Sequence, residues 1–258
     1  MSPFRILVAD NQPIFRLGLC SILGSHERWE VCGEVTDGRD AVEKCRKLKP
    51  DLLILDICLP ELNGADAAGQ ILKHNPDQVI LVLTAVDSEH VIRECLESGV
   101  RGWVFKSDAP EDLMTAVEAM QRQKTMFSAR VSDLIMDGYR RRRAGPTPEN
   151  ITRLSPRERE VVQLVSEGKD SKEIAAILNV SLATAETHRS NILRKLRLHS
   201  IAELVLYAVR NGIVHVQLPR ALRFSSPDPG RNRSRVLSDY TLTKSVNGLA
   251  NVVSEGLN

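Results

Sequence analysis

Asp56 closes the apolar run Leu52-Leu53-Ile54-Leu55, and Pro60 and Gly64 force a turn shortly after it. A run of that length matches a strand buried on both faces of a parallel sheet. An acid at its carboxyl end points into the crevice where open α/β sheets bind ligands. A carboxylate held there serves as a metal ligand, a nucleophile or both. A second acid, Asp10, ends the earlier run Ile6–Ala9. In a doubly wound sheet the ends of the first and third strands are neighbours in space.

The elements that must position these acids are legible in the first 125 residues. Short apolar runs at Ile6–Ala9, Trp29–Val35, Leu52–Leu55, Val79–Leu83 and Gly102–Phe105 read as strands. Between them lie helical patterns near 13–24, 39–48, 65–74, 88–98 and 110–124. Five strands alternating with five helices predict a doubly wound, five-stranded parallel sheet. Residues 126–138 read as one more amphipathic helix. The run Arg140 to Arg143, followed by Pro146 and Pro148, then interrupts any helix and marks a linker.

Residues 151–215 read as helical throughout. Ser155-Pro156-Arg157-Glu158 is a capping signature, with Ser at the N-cap, Pro at the first helical position and Glu at the third. Gly168 ends that helix, Ser171 to Leu178 form a short second one, Asn179-Val180 turn, and Ser181 to Leu196 form a third. A fourth runs from Ile201 to Arg210. A short helix, a tight turn and a longer helix rich in Thr, His, Arg and Asn match a helix-turn-helix. From Val216 the periodicity fails among prolines, glycine and serines, which reads as a disordered tail. The expected organisation is residues 1–127, a linker at 128–150, a helical domain at 151–215 and a tail at 216–258.

The 258 residues suffice for about two domains, and 42% hydrophobic with 26% charged residues is a globular balance. No run reaches the roughly 20 apolar residues of a membrane span, and no signal-peptide pattern opens the chain, so a cytoplasmic protein is expected. Five cysteines, an odd number without a CxxC pair, are expected as reduced thiols. Residues 1–130 carry 15 Lys and Arg against 20 Asp and Glu, whereas 151–215 carry 10 against 7. An acidic front and a mildly basic back suggest different partners, with a polyanion for the second.

These pieces resemble a two-component response regulator of the NarL/FixJ type, a phosphoacceptor receiver joined to a LuxR-type helix-turn-helix. The resemblance spans residues 4–215. Its receiver half rests on Val8-Ala9-Asp10, Leu55-Asp56-Ile57-Cys58-Leu59-Pro60 with Asn63-Gly64, Leu83-Thr84-Ala85 and Phe105-Lys106. Its output half rests on Leu154-Ser155-Pro156-Arg157-Glu158, Lys172-Glu173-Ile174-Ala175, Thr187-His188-Arg189-Ser190-Asn191-Ile192 and Arg194-Lys195-Leu196. The resemblance implies a flavodoxin-like receiver followed by an all-α domain.

It also implies a set of roles. Asp56 is the phosphoacceptor, and Asp10, Asn11, Asp56 and the backbone carbonyl of Cys58 hold Mg²⁺. Lys106 and Thr84 bind the phosphoryl group, with Trp103 the aromatic switch that carries the signal toward the fourth and fifth helices. Such a transfer needs an exposed nucleophile, a divalent cation and donors for the phosphoryl oxygens. Singly, Asp56 is also an ordinary helix cap, Lys106 a surface charge, Thr84 a strand residue and Trp103 core. Their joint placement at strand ends favours the functional reading. Lys172, Thr184, Glu186, Thr187, Arg189, Ser190, Arg194 and Lys195 are the expected DNA contacts, from a helix lying in the major groove. The implied partners are a sensor histidine kinase, DNA and a second copy on DNA, and no enzyme activity is expected beyond the receiver's own phosphoryl transfer and hydrolysis.

Two positions depart from the family pattern. Asn11 stands where a second acid is usual; its amide oxygen can coordinate Mg²⁺ but brings no charge, so weakened metal binding is expected. Glu186 stands where Lys is common, and a carboxylate there either accepts from a cytosine amino group or repels phosphate. Three rivals remain. A phosphatase with an aspartyl-phosphate usually has an acid two residues after its nucleophile, where this chain has Cys58. A ligand-sensing regulator would carry an apolar pocket in front and no acid–Thr–Lys set. A third rival is a phosphate-independent regulator that keeps the fold, which Asn11 makes plausible.

Overall fold

The structure, a computed structural model, describes residues 2–136 save 109, 130 and 134, and residues 154–214. Of the linker expected at 128–150, residues 130, 134 and 137–150 lie outside the described residues, as does the tail expected at 216–258. Strands β1 (Phe4–Ala9), β2 (Trp29–Val35), β3 (Leu52–Leu55), β4 (Val79–Thr84), β5 (Gly102–Phe105) and β6 (Met126–Phe127) form one sheet of order β2-β1-β3-β4-β5-β6. Every pairing is parallel. The crossover elements are α1 (Pro13–Gly24), α2 (Gly38–Leu48), α3 (Gly64–His74), α4 (Glu89–Ser98) and α5 (Pro110–Gln121).

The sheet has six strands rather than the expected five. Met126-Phe127 pair with Gly102-Trp103, and helical residues begin only at 129. Two residues are too short for a period, so their apolar character merged with the helical pattern that follows.

Alternation along the strands sorts the core into two layers. Leu7, Ala9, Leu53, Leu55, Ile80, Val82, Trp103 and Phe105 face one side, packed with residues of α2, α3 and α4. Ile6, Val8, Leu52, Ile54, Leu81, Leu83 and Val104 face the other, packed with residues of α1 and α5. Strands covered on both faces need no polar positions, which is why Leu52–Leu55 is an unbroken apolar run.

The second body of packing is α6 (Pro156–Ser166), α7 (Ser171–Leu178), α8 (Leu182–Leu196) and α9 (Ile201–Arg210), around Val161, Leu164, Ile174, Leu178, Ala185, Ile192 and Leu204. The expected Ser155 cap forms, and a second one not anticipated from the sequence joins it. Ser155 and Glu158 close a reciprocal capping box on α6, and Asp170 with Glu173 close another on α7. Asn179 turns the chain between α7 and α8 in the left-handed region, at φ 51°, a conformation that Asn tolerates better than most residues.

Candidate functional site

The strand register brings the two acids together. Ala9 pairs with Leu55, so Asp10 and Asp56 leave the sheet side by side. Thr84 pairs with Phe105, so Lys106 emerges next to Thr84, and the Lys106 N–H donates to the Thr84 carbonyl at 2.9 Å. Gly64 closes the turn after Asp56. A Cβ there would lie 2.1 Å from the Asp56 carbonyl oxygen, so only glycine lets α3 start this close to the acid's backbone.

Asp10, Asp56 and Lys106 form one buried cluster, with Thr84 buried next to Lys106 along the strand end. Asp56 is 1% exposed, so the exposed nucleophile expected from the sequence is corrected to one buried under Lys106; Asp10 is 2% and Thr84 0% exposed. The Lys106 ammonium lies 2.6 Å from Asp10 Oδ2 and 2.8 Å from Asp56 Oδ2. The remaining Asp10 oxygen accepts the Gln12 N–H at 2.7 Å, and Asp56 Oδ1 accepts the Cys58 N–H at 3.2 Å. Thr84 Oγ1 accepts the Val86 N–H at 3.2 Å, and a hydroxyl that accepts there can still donate elsewhere. Burial holds the Asp10 carboxyl above the usual carboxylate range, against the opposing pull of Lys106.

The oxygen set suits a hard divalent cation. Asp10 and Asp56 supply carboxylates, and the buried Asn11 Oδ1 has no hydrogen-bond partner, an acceptor aimed at nothing else in the protein. Cys58 donates its N–H to Asp56 and packs partly buried against the α2–α4 layer. Among the described residues no group of three or more His, Cys, Asp or Glu gathers as a metal site.

Trp103 is not part of this cluster. It is fully buried in the α2–α4 layer, edge-on to Phe105 at 6.3 Å between ring centroids. Two residues absent from the expected set do reach the cluster. The Phe15 ring lies 4.5 Å from the Lys106 ammonium, and Arg16 Nη1 donates to the Asp10 carbonyl at 2.8 Å. Their signal was an aromatic and a base in the first turn after Asp10.

A second polar cluster joins α6 to the loop that follows Asp56. Gln163, 1% exposed, accepts the Asn63 N–H at 2.7 Å and donates to the Leu59 carbonyl at 3.1 Å. The Glu167 carboxylate accepts the N–H of Glu61, whose backbone is held at φ 62°. Arg159 pairs with Asp66 at 3.1 Å and Glu94 at 3.2 Å, and Glu160 with Arg39 at 2.7 Å. The sequence signal was Gln163 alone within Val161-Val162-Gln163-Leu164-Val165, a polar residue where a solvated helix face is not due.

The helix-turn-helix presents its expected contacts unevenly. Lys172, Thr184, Glu186, Thr187, Ser190 and Arg194 are exposed, together with Leu182, Ala183 and Asn191. Arg189 Nη1 bonds the Ser171 hydroxyl at 2.6 Å, and Lys195 pairs with Glu158 at 2.7 Å, so both are partly committed within the domain. The Thr187 hydroxyl donates to the Ala183 carbonyl, and Thr184 belongs to the Ser181 cap. On α9 the apolar residues divide between a buried and an exposed face. Leu204 and Ala208 are buried in the domain's own core, whereas Leu206 and Val209 are 56% and 37% exposed. The helix is apolar on more than one face, and periodicity alone does not say which face a neighbour takes.

Residues 6–118 match the family described as response regulator receiver domain, and residues 152–208 that of bacterial regulatory proteins, luxR family. The uncharacterized transcriptional regulatory protein YxjL of Bacillus subtilis is 31% identical over 211 residues, 81% of this chain and 97% of that one. Response regulator protein VraR of Staphylococcus saprophyticus is 29% identical over 212 residues, 82% and 99% of the two chains. The RcsB structure from Salmonella enterica serovar Typhimurium, bound to promoter P1flhDC in the presence of the phosphomimetic BeF3−, superposes with a TM-score of 0.51 at 28% identity, over 83% of this chain and all of that one. With paired acids, threonine and lysine at the strand ends of its sheet and a capped helix-turn-helix behind it, the chain belongs to the two-component response regulators of the NarL/FixJ type.

Proposed function

We propose that Asp56 accepts a phosphoryl group from a sensor histidine kinase and that this modification governs DNA binding by residues 151–215, making the chain a phosphorylation-regulated transcriptional regulator. The observation that carries the reading is the Lys106 ammonium shared between Asp10 and Asp56 beside Thr84. An Asp56 carboxylate oxygen attacks phosphorus, the P–N bond of the donor phosphohistidine breaks, and the imidazole leaves with the bonding pair and takes up a proton. Lys106 offsets the charge that builds on the phosphoryl oxygens, and the Thr84 hydroxyl donates to one of them. Mg²⁺, when held by oxygens of Asp10, Asn11, Asp56 and the Cys58 carbonyl, spreads that charge further. With Asn11 neutral the set carries less negative charge, which supports weaker metal binding than a site with three acids.

We infer that phosphorylation frees the output domain by a population shift from a docked state, with α6 against the receiver, to a released one. A dianion on Asp56 interacts differently with the docked and undocked arrangements of the loop after β3, and α6 holds that loop through Gln163 and Glu167. This route supplements the one through Thr84 and Trp103 toward α4 and α5.

The exposed face of α8 enters the major groove, with Glu186, Thr187, Ser190 and Arg194 toward bases and phosphates and Lys172 toward the backbone. DNA as partner is supported by the likeness to RcsB, a protein bound to a promoter in its structure. Exposed Leu206 and Val209 favour a homodimer on DNA through α9. A cytoplasmic location is supported by five free cysteines and by the absence, among the described residues, of a helix long and apolar enough to cross a membrane. The test is incubation with acetyl phosphate and Mg²⁺, read by intact mass. One added phosphoryl group in the wild type and none in Asp56→Asn supports the reading; a normally modified mutant overturns it.

A further inference from the structure

We propose that Phe15 is a positioning residue for the phosphoryl-transfer site, holding the Lys106 ammonium on Asp10 and Asp56 through the face of its ring. The proposal rests on Asp56 being the phosphoacceptor and adds a residue that acts through Lys106 alone.

Three observations carry it. The Lys106 nitrogen lies 4.5 Å from the Phe15 ring centroid, within the 6 Å over which an aromatic quadrupole attracts a cation. The Lys106 side chain is only 7% exposed, so this attraction acts on an ammonium largely stripped of water. The first turn of α1 is also anchored to the site rather than merely near it. Gln12 donates its N–H to the Asp10 carboxylate, and Arg16 donates to the Asp10 carbonyl. Within that turn Ile14 is 87% exposed and Leu17 67%, whereas Phe15 turns inward onto Lys106.

A lysine ends in four rotatable bonds, and two carboxylates fix its nitrogen only while both remain as they are. Transfer to Asp56 changes that. The P–O bond of acetyl phosphate breaks, a new P–O bond forms to Asp56, and acetate leaves as its carboxylate. During this exchange one of Lys106's two carboxylate partners becomes the acyl part of a mixed anhydride with phosphate. The Phe15 ring is unaltered by the chemistry and keeps the ammonium within reach of the phosphoryl oxygens. With Asn11 in place of an acid, the site also has one charge fewer to hold Lys106. The ring therefore carries more of its positioning.

The test uses the full chain with acetyl phosphate and Mg²⁺, comparing wild type, Phe15→Leu and Phe15→Tyr. Leucine keeps the apolar contact with the α1–α5 layer and loses the ring; tyrosine keeps the ring. Phosphorylation of Phe15→Leu is expected to slow by roughly 2- to 30-fold, the range of a partly to fully desolvated cation–π contact, with Phe15→Tyr near wild type. A nuclear resonance readout on protein carrying ¹³C-labelled lysine reports position without chemistry. The Lys106 Cε protons should be shifted upfield by the ring in wild type and Phe15→Tyr, and lose that shift in Phe15→Leu. If Phe15→Leu is folded by circular dichroism and is phosphorylated as fast as wild type, the proposal is overturned. It is overturned equally if the Lys106 resonance does not respond to removal of the ring. If wild type is not phosphorylated but the ring shift is present, it is the role of Asp56 that fails, and the two failures are told apart.

Discussion

Arg159→Ala is expected to raise the affinity of the unphosphorylated protein for DNA. Arg159 lies on α6 and spans two elements of the receiver, pairing with Asp66 of α3 and Glu94 of α4. Its side chain is 16% exposed and those of its partners 11% and 31%, so the pairs sit between the buried and surface limits. Breaking a buried pair costs about 3–5 kcal/mol because the remaining charge is stranded, while an exposed pair contributes about 0–1. Here the stranded acids regain water on undocking, and a loss of about 1–3 kcal/mol for the docked arrangement follows. At 1.4 kcal/mol per tenfold, the docked-to-released ratio should fall between roughly 5- and 150-fold. The apparent Kd of the unphosphorylated chain for its operator should tighten by up to that factor, and phosphorylation should add correspondingly less.

The sign makes the experiment decisive. Removing an arginine subtracts a positive charge from a DNA-binding domain, so simple electrostatics predicts weaker binding. Fluorescence anisotropy on an operator selected in vitro, repeated for Asp66→Ala and the double substitution, gives the coupling energy directly. Unchanged or weaker binding by a folded Arg159→Ala protein, or a coupling below about 0.3 kcal/mol, would refute the docking contact as a restraint.

Other substitutions probe the remaining parts. Asp56→Asn should abolish modification by acetyl phosphate, as read by intact mass. Asn11→Asp restores an anionic ligand and should tighten Mg²⁺ binding on the order of tenfold in a calorimetric titration; equal or weaker binding would remove the argument from charge. Glu186→Lys should raise affinity for random duplex DNA and steepen its salt dependence by about 0.9 in the log–log slope. Burial pushes the Cys45 thiol up to about 11. At pH 8 it should therefore resist iodoacetamide until the chain is unfolded by denaturant, and rapid labelling of the native protein would contradict its placement.

The sequence by itself determined the parallel sheet, the acids at its edge and the helix-turn-helix, because each is a local pattern. Leu52–Leu55 ending on Asp56 is legible as a doubly covered strand with a crevice acid. Ser155-Pro156-Arg157-Glu158 spells its own cap, and Pro60 and Gly64 mark a turn. All four residues close strands, and strands of a parallel sheet end at one edge, so the meeting of Asp10, Asp56, Thr84 and Lys106 could be anticipated from residues far apart in the chain. What only the tertiary structure decided is which atoms those residues face. β6 is two residues long and exists because β5 offers it an edge. The buried side of α9 is set by the neighbours it meets, since a helix apolar on several faces carries no phase of its own. Arg189 and Lys195 look like free cations in sequence, yet they are paired by Ser171 and Glu158, which lie 18 and 37 residues away. Phe15 and Gln163 take their roles from groups on other elements, the Lys106 ammonium and the backbone after Asp56. Hydrogen bonds and cation–π contacts depend on distances of a few ångströms, and in this chain those distances are set by packing between elements that the linear pattern does not relate.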